Sequence, residues 1–151
     1  MHVADLAGNG TTWTNSFNVD TTDPVLSLTV EGTLGTGSWY TTPVQINLAA
    51  SDPDSLLLGA SGLSALEYNL NGAGWTAYST PLELRDGRHC LEVRASDNAG
   101  NLTSGAQTYQ IDAEAPTLEV NVDGAKGTSP WYVSIVQVEA VAGDVTSNLS
   151  S

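Results

Sequence analysis

The sequence predicts an all-β protein in which two antiparallel sheets pack face to face as a sandwich. Short runs of apolar residues alternate with polar residues at the period of two that a strand with one buried face requires. Clusters of Gly, Asn, Asp and Pro separate these runs, as expected of turns. No segment shows a useful helical period, so the alternation and the turn clusters together predict the fold class.

The predicted strands follow one another along the middle of the chain, each with one apolar face. They lie in 25–30, 43–51, 66–71, 89–95 and 109–111. The inward positions are Leu26, Leu28 and Val30, then Val44, Ile46, Leu48 and Ala50, then Leu66, Tyr68 and Leu70, then Leu91, Val93 and Ala95. The same alternation exposes Glu67, Asn69, Cys90, Glu92 and Arg94. About seven short strands of this kind in about 90 residues indicate an Ig-like antiparallel β-sandwich.

A pentapeptide that occurs twice reveals a longer periodicity. Residues 97–101 read DNAGN and residues 5–9 read DLAGN, 92 positions earlier. The same offset aligns Asp20 with Asp112 and the WY pair at 39–40 with that at 131–132, and about a third of the overlapping positions are identical. A fixed period with matching apolar positions is typical of tandem repeats. The sequence therefore predicts a tandem repeat of about 92 residues.

The period also predicts the organisation of the chain. Residues 1–20 correspond to the C-terminal strands of a preceding repeat, 21–112 to one complete repeat, and 113–151 to the N-terminal strands of a following repeat. The pentapeptides are predicted to be the hairpin loops between the last two strands of each repeat, with Gly100 supplying a positive φ.

The charge of the chain excludes several classes of partner. The chain has 17 acidic and 4 basic residues, a formal net charge of −13. Nucleic acid and anionic membrane surfaces both require clustered Lys and Arg, so neither is expected as a partner. No apolar run has the 18 or more residues of a transmembrane helix, and the single cysteine, Cys90, excludes an internal disulfide.

Three segments and two linkers carry a family resemblance. The segments read WYTTPVQINLAASD, SGLSALEYNLNGAGWTAYSTPLEL and DGRHCLEVRASDNAGN, and the linkers are 19–26 and 111–118, VDTTDPVL and IDAEAPTL. Together they resemble the bacterial Ig-like repeats that occur in tandem in large surface and secreted proteins. The resemblance implies an extracellular or cell-surface β-sandwich that serves as a spacer, stalk, adhesive segment or accessory module. The loop 52–62 departs from the family by its length and by three leucines, Leu56–Leu58, which predict a covered interface or a small apolar patch.

Acidic and amide side chains are expected to meet at one end of the complete repeat. The linker that enters this repeat and the loops after its second and sixth strands share that end in an Ig-like sandwich. The candidate ligands are Asp20, Asp23, Asp52, Asp54, Asp97 and Asn101, with Asp112 and Asp144 as equivalents in the next repeat. Ca²⁺ takes 6–8 oxygen ligands from flexible loops, and the resemblance implies calcium at repeat junctions. The alternative is that these side chains only bond the backbone of their turns.

Other candidate sites have weaker support. Trp75 and Tyr78 could stack on a sugar, as in a carbohydrate-binding module, but core or edge packing is the favoured explanation of the aromatic residues here. Catalysis is not expected, because His2 and His89 lie far apart and Glu67 and Glu92 are the solvated positions of strands.

The end segments predict contacts with other repeats. Trp13, Phe17 and Val19 near one end and the strands in 117–142 near the other carry apolar residues that need a partner. Adjacent repeats of the same or a neighbouring chain could cover them, and strand complementation between molecules would give a head-to-tail filament, a homopolymer. The sequence thus predicts a non-catalytic structural or adhesive segment, with a filament subunit and a carbohydrate-binding module as alternatives.

Overall fold

The computed structural model of the chain describes residues 1–54 and 59–149, and the regular structure in these ranges is entirely β. Leu56–Leu58 lie outside the described residues. The twelve strands are β1 (His2–Ala4), β2 (Gly10–Thr12), β3 (Val25–Glu31), β4 (Trp39–Tyr40), β5 (Val44–Ser51), β6 (Leu63–Leu70), β7 (Thr76–Ala77), β8 (Leu82–Leu84), β9 (Gly87–Asp97), β10 (Leu102–Ile111), β11 (Thr117–Asp123) and β12 (Gln137–Gly143). The prediction of an all-β fold is confirmed.

Eight of these strands form two sheets that share one core. The smaller sheet has the order β3-β5-β8 and the larger has the order β4-β10-β9-β6-β7. All neighbours are antiparallel except β4, which pairs in parallel with the last two residues of β10. The arrangement is consistent with the predicted β-sandwich.

The core lies between the two sheets and follows the predicted alternation, except that Leu28 on β3, predicted to be buried, is 38% exposed. The smaller sheet contributes Val44, Ile46, Leu48 and Leu84, and the larger sheet contributes Leu91, Val93, Tyr109 and Ile111. Leu66, Tyr68 and Leu70 pack against this cluster and are half buried. Apolar burial of this kind is the main favourable contribution to the stability of a sandwich.

Several positions predicted to be exposed are half buried. Glu67 receives a 2.8 Å hydrogen bond from Arg94 Nε, and Glu92 receives one of 2.7 Å from Asn69. These four side chains alternate with the inward residues, as predicted, but they are only partly exposed to solvent. Alternation assigns a residue to a face but cannot show that polar partners on the neighbouring strand cover it.

Two separate ribbons, β1–β2 and β11–β12, lie on either side of the sandwich in the sequence. The β11–β12 register pairs Thr117 with Gly143, as β3–β5 pairs Val25 with Ser51 at positions 92 residues lower. The burial of the two ladders differs. Ile46 on β5 is 0% exposed, whereas Val138, 92 positions later on β12, is 63% exposed.

The two pentapeptides form hairpin loops, as predicted. Residues 97–101 join β9 to β10 and residues 5–9 join β1 to β2. Gly100 has φ 100° and Gly8 has φ 93°, a conformation that side chains other than glycine rarely adopt. Each loop therefore needs its glycine at this position.

Candidate cation site at one end of the sandwich

Three carboxylates meet where the chain enters the sandwich. Asp20 precedes β3, Asp52 directly follows β5, and Asp97 is the last residue of β9. These strands share one end because Val25 pairs with Ser51 and the hairpin after Asp97 returns beside the linker. One oxygen of each carboxylate lies within 4.8 Å of the other two. The predicted meeting of these three acidic side chains is therefore present in the structure.

Asp97 is the most buried of the three and is held by its own hairpin. Asp97 is only 3% exposed to solvent. Its Oδ1 accepts hydrogen bonds from the backbone N–H groups of Gly100 and Asn101, at 2.7 and 2.8 Å, and its Oδ2 accepts one from Asn101 Nδ2 at 2.7 Å. Asn101 also donates to the backbone oxygen of Asp20 at 3.3 Å, which ties the hairpin to the linker.

Ser61 and Gly62 connect Asp20 to Asp52. The Ser61 N–H donates to Asp20 Oδ2 at 2.7 Å, and the Gly62 N–H donates to Asp52 Oδ2 at 2.6 Å. The Ser61 hydroxyl reaches Asp52 Oδ2 at 3.4 Å and accepts a hydrogen bond from the Ala99 N–H. The loop before β6 therefore joins all three carboxylate-bearing segments, and the sequence analysis missed Ser61 and Gly62.

No basic side chain of the described ranges neutralises this cluster. The two ion pairs found there, Arg85–Glu83 and Arg94–Glu67, both lie elsewhere on the surface. Asp52 Oδ1 is buried and has no hydrogen-bond partner within the described part of the chain. A buried carboxylate oxygen without a partner costs free energy, and a bound cation would supply one.

Hydrogen bonds lower the pKa of two of the three carboxylates, those of Asp20 and Asp97, despite their proximity. Hydrogen bonds from Ser61 and from the backbone N–H of Thr22 lower the pKa of Asp20. For Asp97, burial raises the pKa, but the bonds from Asn101 and Gly100 outweigh burial, and the net pKa lies below 3.8 even though the charge of Asp20 opposes it. At neutral pH the site therefore carries closely spaced negative charges.

The donor set fits a hard cation such as Ca²⁺. The three carboxylates offer up to six oxygens, each oxygen has more than one lone pair, and the N–H donors already orient the groups towards one another. The same bonds also fit the alternative in which the aspartates cap their turns. The two roles are compatible, because a carboxylate that accepts one backbone bond can still bind a metal.

The other predicted ligands lie outside this cluster. Asp23 is exposed, and Asp54 accepts a hydrogen bond from the Ala60 N–H within its own loop. Asn101 uses its amide nitrogen as a donor to Asp97 and Asp20, which makes it a support for the site.

A related arrangement surrounds Asp112 and Asp144. The Ser147 N–H lies 3.1 Å from Asp112 Oδ2 and 2.9 Å from Asp144 Oδ1, so it links the two carboxylates. Asn148, which follows Ser147, has a positive φ of 64°, and Gly62, which follows Ser61, also has a positive φ, of 88°. Ser147 follows Asp144 by three positions and Ser61 follows Asp52 by nine, so the second loop is six residues shorter. Aligning SNL at 147–149 with SGL at 61–63 across this gap would have revealed both serines.

Trp75 and Tyr78 do not form the flat exposed pair that a sugar platform requires. The Arg94 guanidinium lies 4.1 Å from the centre of the Trp75 ring and is itself held by Glu67. Tyr78 is half buried and packs against the core. Cys90 is exposed on β9, as the alternation predicts.

No protein-family model matches the chain, and none of the curated proteins matches it. Within residues 1–54 and 59–149 there is no helix with the length and apolar character needed to span a membrane.

Acid is expected to destabilise the chain through Asp20, Asp97 and Asp112. Their pKa values in the folded protein lie below the ordinary 3.8, so the folded state binds fewer protons than the unfolded state near this pH. The stabilisation is complete above about pH 5, where the carboxyls are ionised in both states, and is lost as the pH falls through the folded-state values. Thermal unfolding between pH 7 and 2.5 measures it.

The double variant Asp20→Asn, Asp97→Asn is the control for this acid effect. It should lose less of its melting temperature than the natural chain over the same pH range, whereas general charge effects act on both proteins. Parallel acid profiles for the two proteins would contradict the assignment.

Proposed function

We propose that this chain is a non-catalytic structural or adhesive segment of Ig-like repeats from a bacterial extracellular or cell-surface protein, in which a calcium ion stabilises the junction between repeats. The observation that carries this proposal is the cluster of Asp20, Asp52 and Asp97, which joins a linker to two loops of the sandwich. The paired registers at an offset of 92 residues support the repeat organisation.

The chemistry of the cluster supports a role at a junction. Asp20 belongs to the linker that precedes β3, so a cation shared with Asp52 and Asp97 would fix the linker against the sandwich. Ser61 would hold Asp20 and Asp52 in position, and Asn101 would hold Asp97. At the next linker, Asp112 and Asp144 provide two of the three corresponding carboxylates.

Calcium is expected to raise the melting temperature of the chain. A ligand that binds only the folded state at about 100 times its Kd contributes about 2.7 kcal/mol. For a unit of about 90 residues, this corresponds to a rise on the order of 10 °C. Calorimetry in millimolar Ca²⁺ and in chelator measures the difference, and isothermal titration gives the stoichiometry.

Two aspartate variants make the calcium test specific. Asp52→Asn should abolish most of the calcium-dependent rise, because it removes the carboxylate with the unpartnered oxygen. Asp23→Asn, an equal change of charge at an exposed residue close by, should retain the rise. An identical melting temperature with calcium and with chelator would refute the cation site.

The two alternatives have less support. A carbohydrate platform lacks the flat pair of rings, since Tyr78 packs against the core. The ribbons β1–β2 and β11–β12 expose apolar residues that further strands would cover. These exposed faces do not by themselves favour a head-to-tail filament, because adjacent repeats of the same chain would cover the same faces.

A further inference from the structure

An apolar cleft opens between the two sheets on the side where β3 and β10 are neighbours. Its volume is about 400 Å³, within the range of about 300–1,000 Å³ found for ligand pockets. Leu28 and Val30 line it from the smaller sheet, and Leu91, Val93 and Tyr109 line it from the larger sheet. Gly105 lies at its wall on β10.

The cleft exists because Gly105 has no side chain. Tyr109 and Ile111 on β10 are buried, so alternation places Gly105 on the same inward face. A Cβ atom added to Gly105 would meet only Val93 within 4 Å, at 3.9 Å, which leaves the space beyond it open.

The corresponding position 92 residues earlier is occupied by tryptophan. Trp13 aligns with Gly105, as Phe17 aligns with Tyr109 and Val19 with Ile111. The Trp13 N–H bonds to the Met1 oxygen at 2.8 Å. Gly105 on β10 is paired with Val93, and these two residues lie 92 positions after Trp13 and Met1. Trp13 itself is 61% exposed, but its place in the alignment indicates an aromatic ring of about the size of indole as the group to test in this space.

Within residues 1–54 and 59–149, most of the edge of β10 beside the cleft has no strand paired to it. β4 pairs with β10 only at Gln110 and Ile111, and Ser104–Thr108 are exposed. Residues 102–111 contain no charged residue and no proline, in a chain with a net charge of −13. Edge strands are usually protected by charges or proline, so this one is suited to pair with another strand.

We propose that an extended, uncharged strand of a partner protein pairs along the free edge of β10 and inserts one aromatic side chain into the cleft beside Gly105. The strand gains main-chain hydrogen bonds, and the cleft selects the aromatic residue. This interaction uses neither the carboxylate cluster nor calcium, so it stands independently of the proposed cation site.

The test uses a synthetic peptide with the sequence of residues 10–16, acetyl-GTTWTNS-amide, added to the isotope-labelled chain. We expect NMR shifts at the backbone amides of Ser104–Thr108 and at the methyl groups of Leu28 and Val93. Replacing the peptide tryptophan by alanine should weaken binding at least about tenfold, as for an aromatic residue at the centre of an interface. If the tryptophan peptide does not bind, or if the two peptides bind equally tightly, the proposal is overturned.

Variants of the chain locate the binding. Gly105→Trp should fill the cleft from within and abolish peptide binding, and Thr108→Trp, on the opposite face of β10, should retain it. Leu28→Asp, at a partly exposed wall of the cleft, should also abolish binding and serves if Gly105→Trp does not fold. Binding that survives both cleft variants would refute the site. N-acetyltryptophanamide that binds as tightly as the peptide, without shifts along β10, would refute the strand pairing.

Discussion

Replacing Ile46 by alanine is expected to lower the free energy of unfolding by about 2–5 kcal/mol. Ile46 lies at the centre of β5, the middle strand of the smaller sheet, and its side chain is fully buried against the larger sheet. The change removes apolar contacts and leaves a cavity between two sheets that cannot both close around it. Because domains are stable by only about 5–15 kcal/mol, this is a large fraction of the total.

The chain contains a matched control for this core substitution. Val138 is at the corresponding position of β12 and is 63% exposed. Val138→Ala should therefore change the stability of the sandwich by less than about 0.5 kcal/mol. Urea unfolding followed by circular dichroism measures both variants. Similar losses from Ile46→Ala and Val138→Ala would show that β12 is as well packed as β5 and would contradict the burial seen here.

Replacing Asp97 by alanine is expected to cause the largest loss of melting temperature among the substitutions of acidic residues. Asp97 accepts hydrogen bonds from the Gly100 N–H and from the backbone and side chain of Asn101. Removing it relieves repulsion with Asp20 but leaves three donors without an acceptor beside the core. In chelator the lost bonds should outweigh the relief, since Asp97 is 3% exposed and hydrogen bonds to an ionised carboxylate are stronger than those between neutral groups.

Asp5 provides the comparison for the Asp97 variant. It holds its own hairpin with the same bonds, from the Asn9 N–H at 2.8 Å and from Asn9 Nδ2 at 2.9 Å, on an exposed ribbon. Asp5→Ala should leave the melting temperature of the sandwich unchanged. Hydrogen exchange at the Gly100 and Asn101 amides should accelerate in Asp97→Ala alone. Unchanged exchange at these amides would contradict the proposed role of Asp97.

The sequence predicts the buried faces of the long strands because the alternation of apolar and polar residues recurs several times along each of them. Val44, Ile46 and Leu48 recur at a period of two, and their inward positions are confirmed. The two-residue strands β4 and β7 are too short to show any period, and pairing alone places them at the edges of the larger sheet.

The candidate site was predictable as far as its aspartates and no further. Asp20, Asp52 and Asp97 follow from the shared end of an antiparallel fold, and their proximity is observed. Ser61 was missed because its loop is six residues longer than the loop that contains Ser147, so a comparison at constant offset misaligns the two serines. Loop closure depends only weakly on length, so such insertions leave the geometry at the loop ends intact.

The chain enters the sandwich at one end and leaves it at the other, which determines how the sandwich responds to tension. Asp20 lies beside the hairpin at Asn101, whereas the Asp112 N–H bonds to the Tyr40 oxygen at the opposite end of β10. A pull on both linkers therefore draws β3 and β10 along their own axes in opposite directions. Hydrogen bonds between antiparallel strands lie perpendicular to these axes, so the seven residue pairs of β3–β5 are sheared together and do not open one after another.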